Sequence, residues 1–413
     1  VGIFDTYNQP CTITGFSGSV HDAFGRLRVS SPETLFDSKQ LVDNQPLFWD
    51  DQEVSGGGTG SSHSTALAST TISVGATTAG KRVRQTFQRF NYQPGKSQLI
   101  LMTGQIDEVG AGISAAMGLF DDANGIFVSI NEGTLGLTVR SSTSGTQVDN
   151  TVTQSNWNGD KLDGTGSSGH TLNPTATQIF WIDFEWLGVG SVRCGFVING
   201  EFILCHTFHH ANTLGVVYMS NPNLPLRYEI ENDGTGEATS MQHICSTVMS
   251  EGGEDQLGYT HWISTGGTHV DLPTENTLYA VLGVRLKSTW LNITTHLREI
   301  EINEQSGNKI YEWELVWEPT VAGTFTYADV DADTALQRAV GSSANTVTGG
   351  HKILGGFATS AVKGGSDRLS INTALRAGAY IDGTPTELVL CVRPVGGSSN
   401  IDIEAGINFQ QLV

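Results

Sequence analysis

Positive charge is scarce in this chain. Its 413 residues include 22 Lys and Arg against 42 Asp and Glu, a formal net charge of -20 at pH 7. Binding a phosphate backbone needs a basic patch, so nucleic acid is excluded as the main partner. The same balance disfavours adhesion to an anionic membrane surface. Charge of either sign is sparse, at 15% of residues, where soluble proteins average about 25%. No apolar run approaches the ~18–20 residues of a membrane helix, so no membrane insertion is expected. No cationic-then-apolar leader opens the chain, which fits synthesis inside a cell.

Cysteine is also scarce. Cys11, Cys194, Cys205, Cys245 and Cys391 are odd in number and widely spaced, which does not describe a disulfide framework. One pair stands out. Residues 192–208 read VRCGFVINGEFILCHTF, with Asn199-Gly200 at the centre. Asn-Gly is the strongest two-residue hairpin signal. Counting outward pairs Ile198 with Glu201, Phe196 with Ile203 and Cys194 with Cys205. Such a pair falls at a hydrogen-bonded site, where Cα atoms sit about 5.5 Å apart. Two packed thiols fit this geometry better than a disulfide, although the distance admits either.

What the chain has is glycine and strand formers. Gly accounts for 50 of the 413 residues, about 12% against a usual ~7%. Short strands joined by tight turns are expected, hence an all-β protein. The predicted organisation is two β-sandwich (jelly-roll-like) domains with an extended N-terminal arm. The arm covers 1–55, the first sandwich 56–255, a linker 256–276 and the second sandwich 277–413. Strands are expected at 84–90, 98–103, 114–120, 125–130, 135–141, 177–187, 192–198, 201–208, 216–220, 226–231 and 242–248. In the second half they are expected at 278–287, 293–303, 309–318, 352–359, 387–392 and 401–409. In KIYEWELVWE, 309–318, Tyr311, Trp313, Leu315 and Trp317 share one face, the mark of a half-buried strand. Residues 55–62 read as a flexible linker or loop and 142–173 as a long polar loop. One short helix is expected at 333–340, with Asp333 as its N-cap.

Several chemical motifs begin and do not finish. Asp183 and Glu185 have the alternate spacing of a glycosidase carboxylate pair, but Trp181 stands where a first Glu would be needed. His206, His209, His210, His243 and Cys245 lack the paired spacing of a zinc module. The run Asp329, Asp331, Asp333 resembles the start of a calcium loop, but Thr334 and Val340 occupy the places of its Gly and Glu. No catalytic residue, metal or cofactor is therefore assigned. Trp157, Asn158 and Asp160 set an aromatic ring among polar groups, the chemistry of a sugar platform, and are the candidate glycan contacts.

Four stretches carry a family resemblance. DAFGRLRVSSPETLFDSKQ, residues 22–40, and the segment 186–232 resemble a family of tailed-phage virion structural proteins, as do 92–104 and 347–357. The middle region also resembles concanavalin-like sandwiches, at the level of fold alone. The phage resemblance implies a non-enzymatic virion component: a capsid decoration, head fibre or tail-associated protein. Its implied partners are copies of itself (a homo-oligomer such as a trimer) and other virion proteins. Phe24, Leu27, Val29, Leu35 and Phe36 are then the candidate assembly contacts of the arm. The second reading is a carbohydrate-binding module of a virion that recognises host surface glycans.

Overall fold

The computed structural model describes residues 3–4, 10–11, 32–107, 109–255, 257–360, 365–370 and 377–412. The described chain is built from β-strands, with one 3₁₀ turn at Gln154–Asn156. Two pairs of sheets account for most of it.

The first pair joins a seven-stranded and an eight-stranded sheet. The seven-stranded sheet runs, in spatial order, Val148–Thr153, Thr134–Ser141, Gly125–Asn131, Ile113–Phe120, Leu226–Asn232, Gly80–Thr86 and Trp49–Gly56. The other runs Glu201–Phe208, Val192–Ile198, Gln178–Phe184, Gln98–Ile106, Thr239–Ser250, Ser69–Val74 and Thr59–Ser64. Glu33–Lys39 adds to Thr239–Ser250. Alternation explains the pairing of layers. Along Gln98–Ile106 every second residue is buried, so one face of each sheet is apolar. Ile100, Met102, Phe180 and Phe196 from one sheet meet Met117, Leu119, Val128 and Ile230 from the other. Each such side chain, fully buried, contributes roughly 1.5–3 kcal/mol.

The second pair follows the same logic. A five-stranded sheet contains Tyr259–Ser264, Val270–Leu272, Ile401–Leu412, Thr294–Glu304 and Gly365–Ser370. A six-stranded sheet contains Ala328–Asp329, Leu336–Val340, Tyr279–Leu286, Leu388–Val395, Lys309–Trp317 and His351–Ser360. Tyr311, Trp313 and Leu315 enter the core between these sheets. Trp317, on the same face, belongs to a separate cluster with Phe87 and Leu388. That cluster joins the two sandwiches, aided by Ile381 N–H donating to Asp50 Oδ2 at 2.8 Å.

Several expected boundaries are corrected. Residues 33–55 are not an arm. Glu33–Lys39 and Trp49–Gly56 are strands of the first sandwich, because Phe36 and Trp49 fill its core. The Phe36 ring lies 5.3 Å from Phe90 and 5.7 Å from Phe48. Leu35 packs against the same core. Neither residue is therefore a free assembly contact, and Phe24, Leu27 and Val29 lie outside the described residues. The glycine-rich 55–62 is a strand turn, since Gly56 and Gly58 both take φ of +67° and lead into Thr59–Ser64. The 256–276 linker is likewise sheet, with Tyr259–Ser264 and Val270–Leu272 both pairing with Ile401–Leu412. The loop 142–173 contains the edge strand Val148–Thr153. Residues 216–220 form no strand; Tyr218 and Met219 are instead tied down by Trp186 Nε1 donating to Met219 O at 3.0 Å and Tyr218 OH to Glu185 O at 3.0 Å.

The expected helix is also replaced. Asp331 Oδ1 accepts from Asp333 N and Thr334 N at 2.9 and 2.8 Å, which closes a turn. Leu336–Val340 then pairs with Tyr279–Leu286 and buries Leu336 and Ala339. At the Asn199-Gly200 hairpin, Ile198 pairs with Glu201 and Phe196 with Ile203 as read from the sequence. A bulge follows, so Cys194 pairs with His206 rather than Cys205. The extra residue lets both cysteines point into the core as free thiols.

Candidate functional site

The outer face of the seven-stranded sheet forms a groove of about 700 Å³. Its floor follows from register. One row across the strands runs Glu229, Ala116, Ser129, Gly136 and Thr153; the next runs Glu231, Ser114, Asn131 and Thr134. Small and hydroxyl-bearing residues leave a trough where larger ones would make a flat face. The inner face of the same strands carries Tyr228, Ile230, Met117 and Val128 in the core. Alternation thus supplies the core and the groove from the same strands.

Paired charges wall the trough. Glu229 Oε1 lies 2.6 Å from Lys81 Nζ, and its Oε2 lies 2.7 Å from Arg227 Nη2. Arg227 also meets Asp122 at 2.9 Å. Burial opposes ionisation of Glu229, but the adjacent Arg227 and Lys81 outweigh it and hold the carboxyl below its ordinary range. At the other end Arg140 grips Asp149 with Nε at 2.8 Å and Nη2 at 2.9 Å. The Arg140 and Arg227 guanidinium groups lie 5.7 and 5.3 Å from the centre of the Phe120 ring. A second cavity of about 490 Å³ shares Lys81 and Asp122 as a wall and reaches Ile381 and Asp382 of the second sandwich.

The sequence-predicted glycan contacts are not in this groove. Trp157 is only 2% exposed, and its indole N–H donates to Val152 O at 3.0 Å. Asn158 exchanges two 2.9 Å bonds with the backbone of Thr207. Asp160 accepts from Leu162 N and Ser168 N at 2.9 and 2.7 Å. Burial would raise the Asp160 pKa, but these amides outweigh it and lower it. The three residues pin a long loop to the sheet, and a sugar cannot stack on a buried ring.

The other candidates are dispersed. Asp183 is ion-paired with Arg193, its cross-strand neighbour, while Glu185 lies beyond the end of the strand Gln178–Phe184. His206 accepts from Asn158 N, His210 stacks on Tyr218, and His243 is buried against Trp49 and Tyr228. Among the described residues no three His, Cys, Asp or Glu side chains are grouped to hold a metal ion. The groove carboxylates Glu229 and Glu231 were not singled out from sequence. Their signal was present in LRYEIEN, where Leu226, Tyr228 and Ile230 alternate with charges.

No protein-family model matches this chain, and no curated protein sequence matches it. Solved structures do resemble it in part. A glycoside hydrolase family protein from Mycobacterium thermorestibile is similar over 52% of this chain and 99% of its own, at 14% identity and a TM-score of 0.37. The carbohydrate recognition domain of Emp47p covers 57% of this chain and 100% of its own, at 9% identity and a TM-score of 0.34. A legume lectin-like domain from Entamoeba histolytica covers 53% and 98%, at 11% identity and a TM-score of 0.32. No residue of the groove is carried over from these likenesses.

Proposed function

We propose that the groove on the seven-stranded sheet binds a carbohydrate without cleaving it. The observation that carries this is the hydroxyl- and amide-bearing trough of Ser114, Ser129, Asn131, Thr151 and Thr153. Such groups exchange hydrogen bonds with sugar hydroxyls, and a concave site excludes water around them. Five carboxylates line the groove (Asp122, Glu132, Asp149, Glu229, Glu231) against the cations Lys81 and Arg140. That balance favours a neutral sugar over a sulfated or uronic one. Glu229 has cations on both oxygens and a lowered pKa, which suits it poorly to donate a proton.

The resemblance of 22–40 and 186–232 to phage virion proteins supports a setting for this module. It would stand on a virus particle as a homo-oligomer, in contact with other virion proteins, and take a host surface glycan.

The test is an array of bacterial surface polysaccharides probed with the intact chain and with Ser129→Trp, which fills the trough floor. Binding to neutral glycans is expected, with loss in the variant and an unchanged circular dichroism spectrum. Equal binding by the variant would remove the groove from the account. Release of reducing ends during the incubation would overturn the non-catalytic half.

A further inference from the structure

We propose a second, separate sugar-binding platform at Trp262 on the outer face of the second sandwich. The chain has eight tryptophans, and all eight are among the described residues. Trp262 is the exposed one, at 50%. It stands on Tyr259–Ser264, with Asn408 of Ile401–Leu412 as its cross-strand neighbour. Its six-membered ring occupies the space over Gly406. A Cβ built on that glycine would come within 2.0 Å of Cη2 and 2.2 Å of Cζ2. A side chain at 406 would displace the ring, so glycine gives the indole a fitted seat on the sheet.

Beside the ring lies a shallow cavity of about 190 Å³ lined by Trp262, Ser264, Glu301, Asn303, Glu404 and Gly406. Asn303 Nδ2 donates to Glu404 Oε2 at 3.2 Å, and Asn408 Nδ2 to Glu299 Oε2 at 2.9 Å. These bonds hold the side chains beside the ring in place. A pyranose has an apolar C–H face and an equatorial rim of hydroxyls. The indole suits the face, and the carboxylate, amide and hydroxyl groups suit the rim. The cavity lining includes Glu301 and Glu404 and neither Lys nor Arg, which favours a neutral pyranose over an anionic one. None of these residues lines the groove of the first sandwich, and the platform stands whether or not the groove binds sugar. With both sites occupied, one chain would hold a polysaccharide at two points, and avidity would exceed either affinity.

The experiment follows indole N–H resonances of the ¹⁵N-labelled full chain during titration with four methyl glycosides: glucoside, galactoside, mannoside and N-acetylglucosaminide. A single exposed platform should bind at the millimolar level. The expected result is a shift of one resonance, the one missing in Trp262→Phe, with at least one of the four probes. In ligand-observed saturation-transfer titrations with the same probe, which need no indole resonance, Trp262→Ala and Gly406→Val, which unseats the ring, should each weaken binding by about tenfold or more, while Trp262→Phe keeps part of it. Ser129→Trp should leave the Trp262 shift unchanged, which separates this site from the groove. No shift with any of the four glycosides would overturn the proposal. So would a fall in oligomer mass by light scattering in Trp262→Ala with sugar binding intact, since the ring would then be a contact between copies.

Discussion

Arg84 and His243 meet inside the first sandwich, with Arg84 Nε donating to His243 Nδ1 at 3.1 Å. Arg84 is fully buried. Its guanidinium also reaches Gln40 Oε1 at 3.0 Å and Asp51 at 3.3 Å, and lies 5.2 Å from the Trp49 ring centre. His243 Nε2 faces Ser246 Oγ at 3.2 Å, and Ser246 faces Tyr228 OH at 3.0 Å. Because Nδ1 accepts from Arg84, the imidazole is neutral and its proton sits on Nε2. The network ties Gln40 and Asp51, from the stretch expected to be a loose arm, into the core.

Acid should therefore weaken the fold. Burial first, and then the charge of Arg84, push the His243 pKa well below its ordinary 6.5. The unfolded chain binds the proton that the folded chain refuses. The contribution of His243 is thus complete above the unfolded pKa and is lost as pH falls below about 6.5, at up to ~1.4 kcal/mol per unit. His206 and His210, also lowered by burial, act in the same sense. Asp50 and Asp183, raised by burial, act in the opposite sense at lower pH. Urea unfolding between about pH 7.5 and 5.5 should show falling stability, with a shallower loss in His243→Gln. Parallel profiles for the two proteins would refute this.

Truncating the cation should be severe. Arg84→Met removes a donor shared by Asp51, Gln40 and His243, while Asp51 keeps Arg82 Nε at 2.6 Å. Breaking a buried pair in this way costs about 3–5 kcal/mol. Denaturant midpoints would measure it. A change under about 1 kcal/mol would place the pair with ordinary surface bridges.

The three buried cysteines should be silent in the native state. Cys194, Cys205 and Cys391 are buried and unbonded. Burial, with the nearby charge of Asp160, pushes the Cys205 thiol up to about 12. At pH 8 only about one molecule in ten thousand would carry the reactive thiolate there. In a Cys11→Ser, Cys245→Ser background, which removes the partly exposed Cys245 thiol, a disulfide exchange reagent should label these three only after unfolding. Mass spectrometry without reductant should find no Cys194–Cys205 bond.

The two sandwiches should unfold together. Phe87 and Trp317 meet edge to face with ring centres 5.0 Å apart, and Tyr380 also meets Phe87 edge to face at 5.1 Å. Phe87→Ala would open a cavity costing about 3–5 kcal/mol in the cluster that joins the halves. Calorimetry should show one transition in the parent chain and two in the variant. Two transitions in the parent would mean that the cluster does not couple them.

Much of this architecture could be read directly. The bounds of Val192–Ile198 and Glu201–Phe208 match the expected strands, and most others agree within a few residues. The reading failed where partners were distant. Residues 33–39 show too little alternation alone to read as a strand, yet they pair with Thr239–Ser250. The Cys194–Cys205 register failed by one residue. At Gly195 a Cβ would come within 1.9 Å of Ile203 O, a close approach that the hairpin count does not contain.

The groove and the platform show the same limit. Trp157 stands between Asn156 and Asn158, and Trp262 between His261 and Ile263. One is sealed under a loop, at 2% exposure, and the other stands half in water, at 50%.

Composition and period-two alternation by themselves determined that this chain is all-β, with apolar faces that must be covered in pairs. Those signals are local, because side chains alternate along each strand whatever its partner. Tertiary structure alone decided which strands lie side by side. With that it decided that Glu229, Ala116, Ser129 and Gly136 line up as a trough, that Gly406 seats Trp262, and that the first fifty residues include part of the core. Each of these depends on pairing between segments far apart in the chain, whose register is set by packing across the whole sheet.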